Sequence, residues 1–160
     1  MPQGHQKPAN RILCEMIAGK IKEYEVGANA TIGECIPGSL VINDTYEHAI
    51  KESGAKADNF VGVVECAPDQ AIGATKAIGE TALVLTGHFI CQVRLKASEN
   101  VAIGDTLVTG ADGLAVELAV AAIGGQGCTI GKALEASNVT TIAYILAEIW
   151  TNTAEAAAAS

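Results

Sequence analysis

Aromatic side chains are scarce in this chain. Six serve all 160 residues: Tyr24, Tyr46, Phe60, Phe89, Tyr144 and Trp150. Carbohydrate and single-stranded nucleic acid binders stack their ligands on aromatic faces. Here most of the six are needed for a core, which disfavours both classes. Charge is thin as well, with 18% of residues charged against a typical share of about 25%. Cations are the scarcer sign, ten against eighteen acidic residues, for a net charge of −8. Phosphate recognition needs clustered Lys and Arg, so nucleic acid is not expected as a partner. No apolar run reaches the roughly 18 residues of a membrane-spanning helix. The N-terminal "MPQGHQKPANRILCEM" also lacks the apolar middle of a secretory signal. The expectation is a chain that neither spans a membrane nor is exported by that route.

Paired cysteines are missing too. Cys14, Cys35, Cys66, Cys91 and Cys128 stand singly with no C-x-x-C, and an odd number cannot pair fully within one chain. This favours reduced thiols and synthesis in a cytoplasm. At 160 residues the chain suits one domain, which near this size buries roughly 70% of its unfolded surface.

What is present is a series of short apolar runs divided by turn residues. "SLVIND", "NFVGVVEC", "TALVLTGHFICQVRL", "DTLVTG", "GLAVEL", "CTIGKALEA" and "TTIAYILAEIW" predict an all-β domain. Phe89, Cys91, Val93 and Leu95 alternate with Ile90, Gln92, Arg94 and Lys96, the period-two pattern of a half-buried strand. Gly87, just before this run, is placed to bend the sheet. The runs around Ala111-Asp112-Gly113 form a hairpin pattern with no nucleophile, ligand or base at its tip.

Two segments are ambiguous. In "DTYEHAIKESG" (44–54), Asp44 is placed as a helix cap with Glu47 three residues on and Gly54 as a stop, so one short helix is expected there. Near the C-terminus, Ile142, Ile145, Leu146 and Ile149 lie at helical spacing. Thr140, Thr141, Ile142 and Tyr144 nevertheless favour a strand over 140–150.

The ends differ from the middle. Residues 1–22 hold Lys7, Arg11, Lys20 and Lys22 against Glu15, a net of +3. Residues 23–160 carry the remaining six cations and seventeen acids, a net of −11. Proline, glycine and few aliphatics in 1–11 cannot offset ordering entropy by burial. The expected organisation is a partly mobile N-terminal arm over 1–25, a β domain over 26–150 and a loose tail over 151–160. Within the arm, Ile12, Leu13, Met16 and Ile17 follow the polar lead, suited either to adding a strand to a neighbour's edge or to filling the domain's own core. Lys7 and Arg11 could meet acidic groups on a partner.

Residue patterns suited to chemistry are few. "GGQGCTIGKA" (124–133) misses the Walker pattern, with Gln126 where glycine is required and Ala133 where Ser or Thr is required. The dinucleotide pattern fails at Ile130. His88 and Cys91, three apart in a strand, point to opposite faces and cannot form a nucleophile–base pair. Cys91 is expected to be an inert core thiol. No Cys/His cluster suits zinc, and Asp58, Glu65 and Asp69 read as scattered surface acids. Neither a catalytic residue, a metal nor a cofactor is expected.

Taken in order, "PGSLV", "FVGVVE", "LTGHFICQVRLKASENVAIGDTLVTGADG" and "TIGKALEAS", closed by a final apolar run, resemble the head decoration, or capsid cement, proteins of tailed viruses. The resemblance covers about residues 36–150. It rests on Gly62-Val63-Val64, Gly87, Ile103 to Leu107, Asp112-Gly113 and Ile130 to Ala133, and does not extend over 44–54 or 1–25. It implies a compact β-barrel or β-tulip-like domain, commonly a homotrimer. Such a domain sits on the outer surface of an expanded capsid and cements neighbouring copies of the major capsid protein, with no membrane or small-molecule partner. An alternative is a biotinyl- or lipoyl-type carrier, or another β-barrel adaptor. Lys132, however, follows Ile130-Gly131 inside an expected strand rather than standing on a hairpin tip.

Overall fold

Strands buried on both faces read as unbroken apolar runs, and strands buried on one face alternate. Both kinds occur in this chain, and their order builds the fold. The computed structural model describes residues 14–31, 35–55, 59–65, 76–118 and 129–151. Among these described residues are nine strands: β1 (Cys14–Val26), β2 (Leu40–Asn43), β3 (Ala49–Glu52), β4 (Phe60–Glu65), β5 (Thr81–Leu95), β6 (Thr106–Thr109), β7 (Ala115–Glu117), β8 (Thr129–Ala133) and β9 (Ala143–Trp150). The protein is all-β, and the expected strands at 140–150 and around Ala111-Asp112-Gly113 are both present.

The strands close into two small rings that share β5. The first runs β1-β3-β2-β4-β5 and back to β1; the second runs β5-β7-β6-β8-β9 and back to β5. The second repeats the first pairing for pairing. Each ring is closed by one short parallel contact, Glu25 with Ala49 and Val26 with Ile50 in the first, Leu95 with Ala115 in the second. All other pairings in both rings are antiparallel. A register shift falls between Val41 and Ile42 in the first ring and between Leu107 and Val108 in the second.

Local geometry repeats as well. Gly38 and Gly104 both adopt positive φ, 89° and 93°. Their N–H groups donate to Val64 O and Ala133 O respectively, each at 2.8 Å. Gly62 and Gly131 face the carbonyls of Leu85 and Glu148, where a Cβ would not fit. The fold is therefore one five-strand unit used twice.

Burial follows the sequence pattern. Along β5, Phe89, Cys91, Val93 and Leu95 are fully buried while Ile90, Gln92 and Arg94 lie half-buried on the other face. They join Leu107, Ile130, Ala147 and Ile149 in the larger core. Leu40, Val63 and Leu85 of the first ring also point into it. Val26, Val41, Ile50, Val64, Ala82 and Val84 make a smaller core inside the first ring. The runs "LVI", "FVGVV" and "ALVL" are unbroken because their strands lie between the two cores.

The short helix expected over 44–54 is absent. Asp44 caps no helix: its carboxylate accepts from the Asn29 backbone N–H at 3.0 Å and the Asn29 side chain at 2.8 Å. Residues 45–48 turn, with the Ala49 N–H donating to Tyr46 O at 3.0 Å. Ala49 and Ile50 are then buried as strand β3 against β2. Tertiary pairing outweighs the local helix signal, as it commonly does for short segments.

The bare hairpin also has a place. Its tip is a single 3-10 turn at Ala111–Gly113. The Gly113 N–H donates to Ser53 O at 3.1 Å, and the buried Ser53 hydroxyl donates to Gly110 O at 3.0 Å. The tip thus fastens the second ring to the first.

Candidate docking surface

Strand β1 combines length with exposure. It pairs with β5 from Cys14 opposite Cys91 to Glu25 opposite Thr81. On its other edge, among the described residues, it meets only β3 at Glu25 and Val26. From Cys14 to Tyr24, no strand among the described residues lies beside that edge. The equivalent edge of β5 in the second ring is filled, by β1 itself. An unpaired edge is a ready template for another chain.

The exposed side chains on β1 mix apolar and charged groups. Ile17 is 50% exposed and Ile21 46%. Ile17 is the extra residue of a bulge, since Met16 sits opposite Phe89 and Ala18 opposite His88. With no cross-strand partner on β5, its side chain turns outward. Met16 does the opposite and packs against the larger core. Lys20 and Lys22 project from the strand, and Glu15, Glu23 and Glu25 supply the opposite charge. Of the residues singled out in the arm, Met16 and Ile17 are therefore separated in role. Lys7, Arg11, Ile12 and Leu13 lie outside the described residues, as does the tail beyond Thr151. The part of the expected arm from Cys14 to Glu25 is strand in the chain's own sheet.

Apolar residues also stand out beyond β1. Tyr46 and Ile78 flank its C-terminal end, and the charge of Glu25 beside the Tyr46 phenol, with a bond to it, holds that phenol above its ordinary range. At the far end of the second ring, Ile103, Val139 and Ile142 are exposed.

Polar groups elsewhere serve mainly to hold strands together. His88 Nε2 lies 2.9 Å from Glu148 Oε2, and its ring stacks on Trp150 with centroids 4.8 Å apart. His88 and Cys91 face opposite ways, as the alternation requires. Lys132 is exposed in mid-strand between β6 and β9, opposite Thr106 and Glu148, and not on a turn. Among the described residues, no group of three or more His, Cys, Asp or Glu is placed to hold a metal ion. Glu65 corrects the expectation of a surface acid: it is 1% exposed and accepts a bond from the Cys14 thiol at 3.3 Å. Asp58 and Asp69 lie outside the described residues.

Among solved structures, this chain is similar to the crystal structure of the head fiber gp8.5 N base in bacteriophage phi29. The two agree with a TM-score of 0.50 at 16% sequence identity, over 83% of this chain and 95% of that one. At that identity the likeness is one of fold. No family model matches the chain, and no curated protein does.

Ile21 and the open edge of β1 were missed in the sequence because residues 14–26 lack strict alternation. The only signal was their mixture of apolar and charged residues without glycine or proline between Lys20 and Val26.

Proposed function

We propose that this protein is a structural component of a virus particle that binds the outer surface of an expanded capsid and cements neighbouring subunits of the major capsid protein. It acts by contact and not by catalysis, and works as a homotrimer. The observation that carries the reading is a long strand with one edge unpaired among the described residues and with outward-facing Ile17 and Ile21, in a fold similar to that of a phage head fiber base. The sequence resemblance to capsid cement proteins supports it from an independent direction.

The energetics would come from area. A stable interface buries about 1,600 Å² in total. Three linked contacts bind far more tightly than one, because the second and third form at high effective concentration. The arm, with Ile12 and Leu13, would add as a strand to the β1 edge of the next copy, while Lys7 and Arg11 steer toward acidic groups on the shell.

Co-sedimentation with expanded empty capsids of the parent virus tests this. The full-length protein is expected to pellet with them, and a variant lacking residues 1–13 to remain folded but unbound. Full decoration by the truncated protein overturns the role of the arm, and failure of the intact protein to pellet overturns the reading itself.

A further inference from the structure

Cys14 and Cys91 stand directly opposite each other across β1 and β5. The hydrogen-bond parity of β5 fixes what kind of pair they are. Thr151 donates its N–H to Gly87 O at 2.9 Å, so the odd-numbered residues of β5 turn their backbone groups toward β9. Cys91, four residues on, does the same, which leaves Cys14 and Cys91 as a non-hydrogen-bonded antiparallel pair. Such pairs hold their Cα atoms about 4.5 Å apart with side chains close, inside the roughly 4.4–6.8 Å that a disulfide spans. Neither cysteine is in a disulfide here. Cys14 is half-buried and reachable, while Cys91 is fully buried behind it.

We propose that Cys14 and Cys91 are a disulfide-forming pair, oxidised by exchange with a low-molecular-mass disulfide of the glutathione type, which locks β1 onto β5. The Cys14 thiol passes its proton to Glu65, to which it already donates. Its sulfur attacks one sulfur of the oxidant, the oxidant's S–S bond breaks, and the first glutathione leaves as a thiolate and takes up a proton. Cys91 then gives up its proton and its sulfur attacks the Cys14 sulfur, the mixed S–S bond breaks, and the second glutathione leaves as a thiolate that takes up that proton. Two protein thiols are oxidised and one small disulfide is reduced to two thiols. Burial, helped by the nearby Cys14 and Glu65, holds the Cys91 thiol well above its ordinary range. The closing step is therefore slow near neutrality and faster as pH rises.

This inference is independent of the capsid reading, although the strand it would lock is the one with the open edge. The test treats the full-length protein with oxidised glutathione, quenches in acid, alkylates, and maps peptides by mass. The expected result is a peptide pair joined through Cys14 and Cys91 with loss of two hydrogens. A rise in Tm of roughly 10 °C is expected with it, since the bond closes a long loop, and dithiothreitol should reverse both. Cys14→Ser should abolish the link and the shift. A link through Cys66 or Cys128 instead, a glutathione adduct on Cys14 that never resolves, or a Cys14–Cys91 link with unchanged Tm would each overturn the proposal.

Discussion

The two rings share a topology and differ in what fills them. The second encloses Phe89, Leu95, Leu107, Ile130 and Ile149, all essentially inaccessible. The first encloses mostly Val and Ala, with Ile50 and Cys35, and leans on polar contacts at its rim, such as Asp44 with Asn29 and Lys51. Hydrophobic stabilisation scales with the apolar area removed from water. The second ring is therefore the stable body. The first is lightly filled, and most of β1 faces solvent.

The largest test of this contrast is a pair of truncations. Phe89→Ala should destabilise by about 3–5 kcal/mol and Val84→Ala by about 2 kcal/mol, measured by urea unfolding with unchanged slope. Equal losses would erase the distinction. A smaller effect sharpens it at the strand both rings share. Gly87 has φ +90°, and a Cβ there would lie 2.6 Å from Ala18 O and 2.7 Å from Gly19 Cα on β1. Gly87→Ala is expected to cost about 2–3 kcal/mol. Amide exchange should accelerate in β1 before β9; the reverse order would place the weak seam in the other ring.

The smallest effect concerns the polar rim. Burial pushes the Asp44 carboxyl up. The Asn29 side chain and backbone, the Lys51 charge and the Thr45 N–H together outweigh this and hold it below its ordinary value of 3.8. An unfolded chain binds this proton first as pH falls. The stabilisation is thus complete above 3.8 and disappears as pH drops through the lower folded value. Asp44→Asn should be less stable at neutral pH by at most about 1 kcal/mol. The gap in Tm should close in acid, and a gap that persists there would show that shape and not charge matters at this site.

Much of the fold was legible, for reasons visible in particular strands. The alternation from Phe89 to Leu95 and the unbroken runs of β2 and β4 both report burial directly. Asp112-Gly113, both at positive φ, marked the hairpin because few other residues accept that backbone. The segment at 44–54 misled because Asp44 serves as an acceptor equally well in a cap or in a tertiary bond to Asn29. The duplication escaped notice because its two copies share little beyond Gly38 with Gly104 and Gly62 with Gly131, and unequal connections separate them.

Local chemistry, carried in the order of residues, settled that this chain forms β-strands, which of their faces are apolar, and where it turns. Those properties depend on neighbours in sequence and need no distant partner. Only the three-dimensional structure decided that β1 lies along β5 with a bulge at Ile17, that Cys14 meets Cys91 and Glu65, and that one edge of β1 is left open among the described residues. Register between strands about 70 residues apart depends on long-range packing and on a single inserted residue that reverses which side chains face inward.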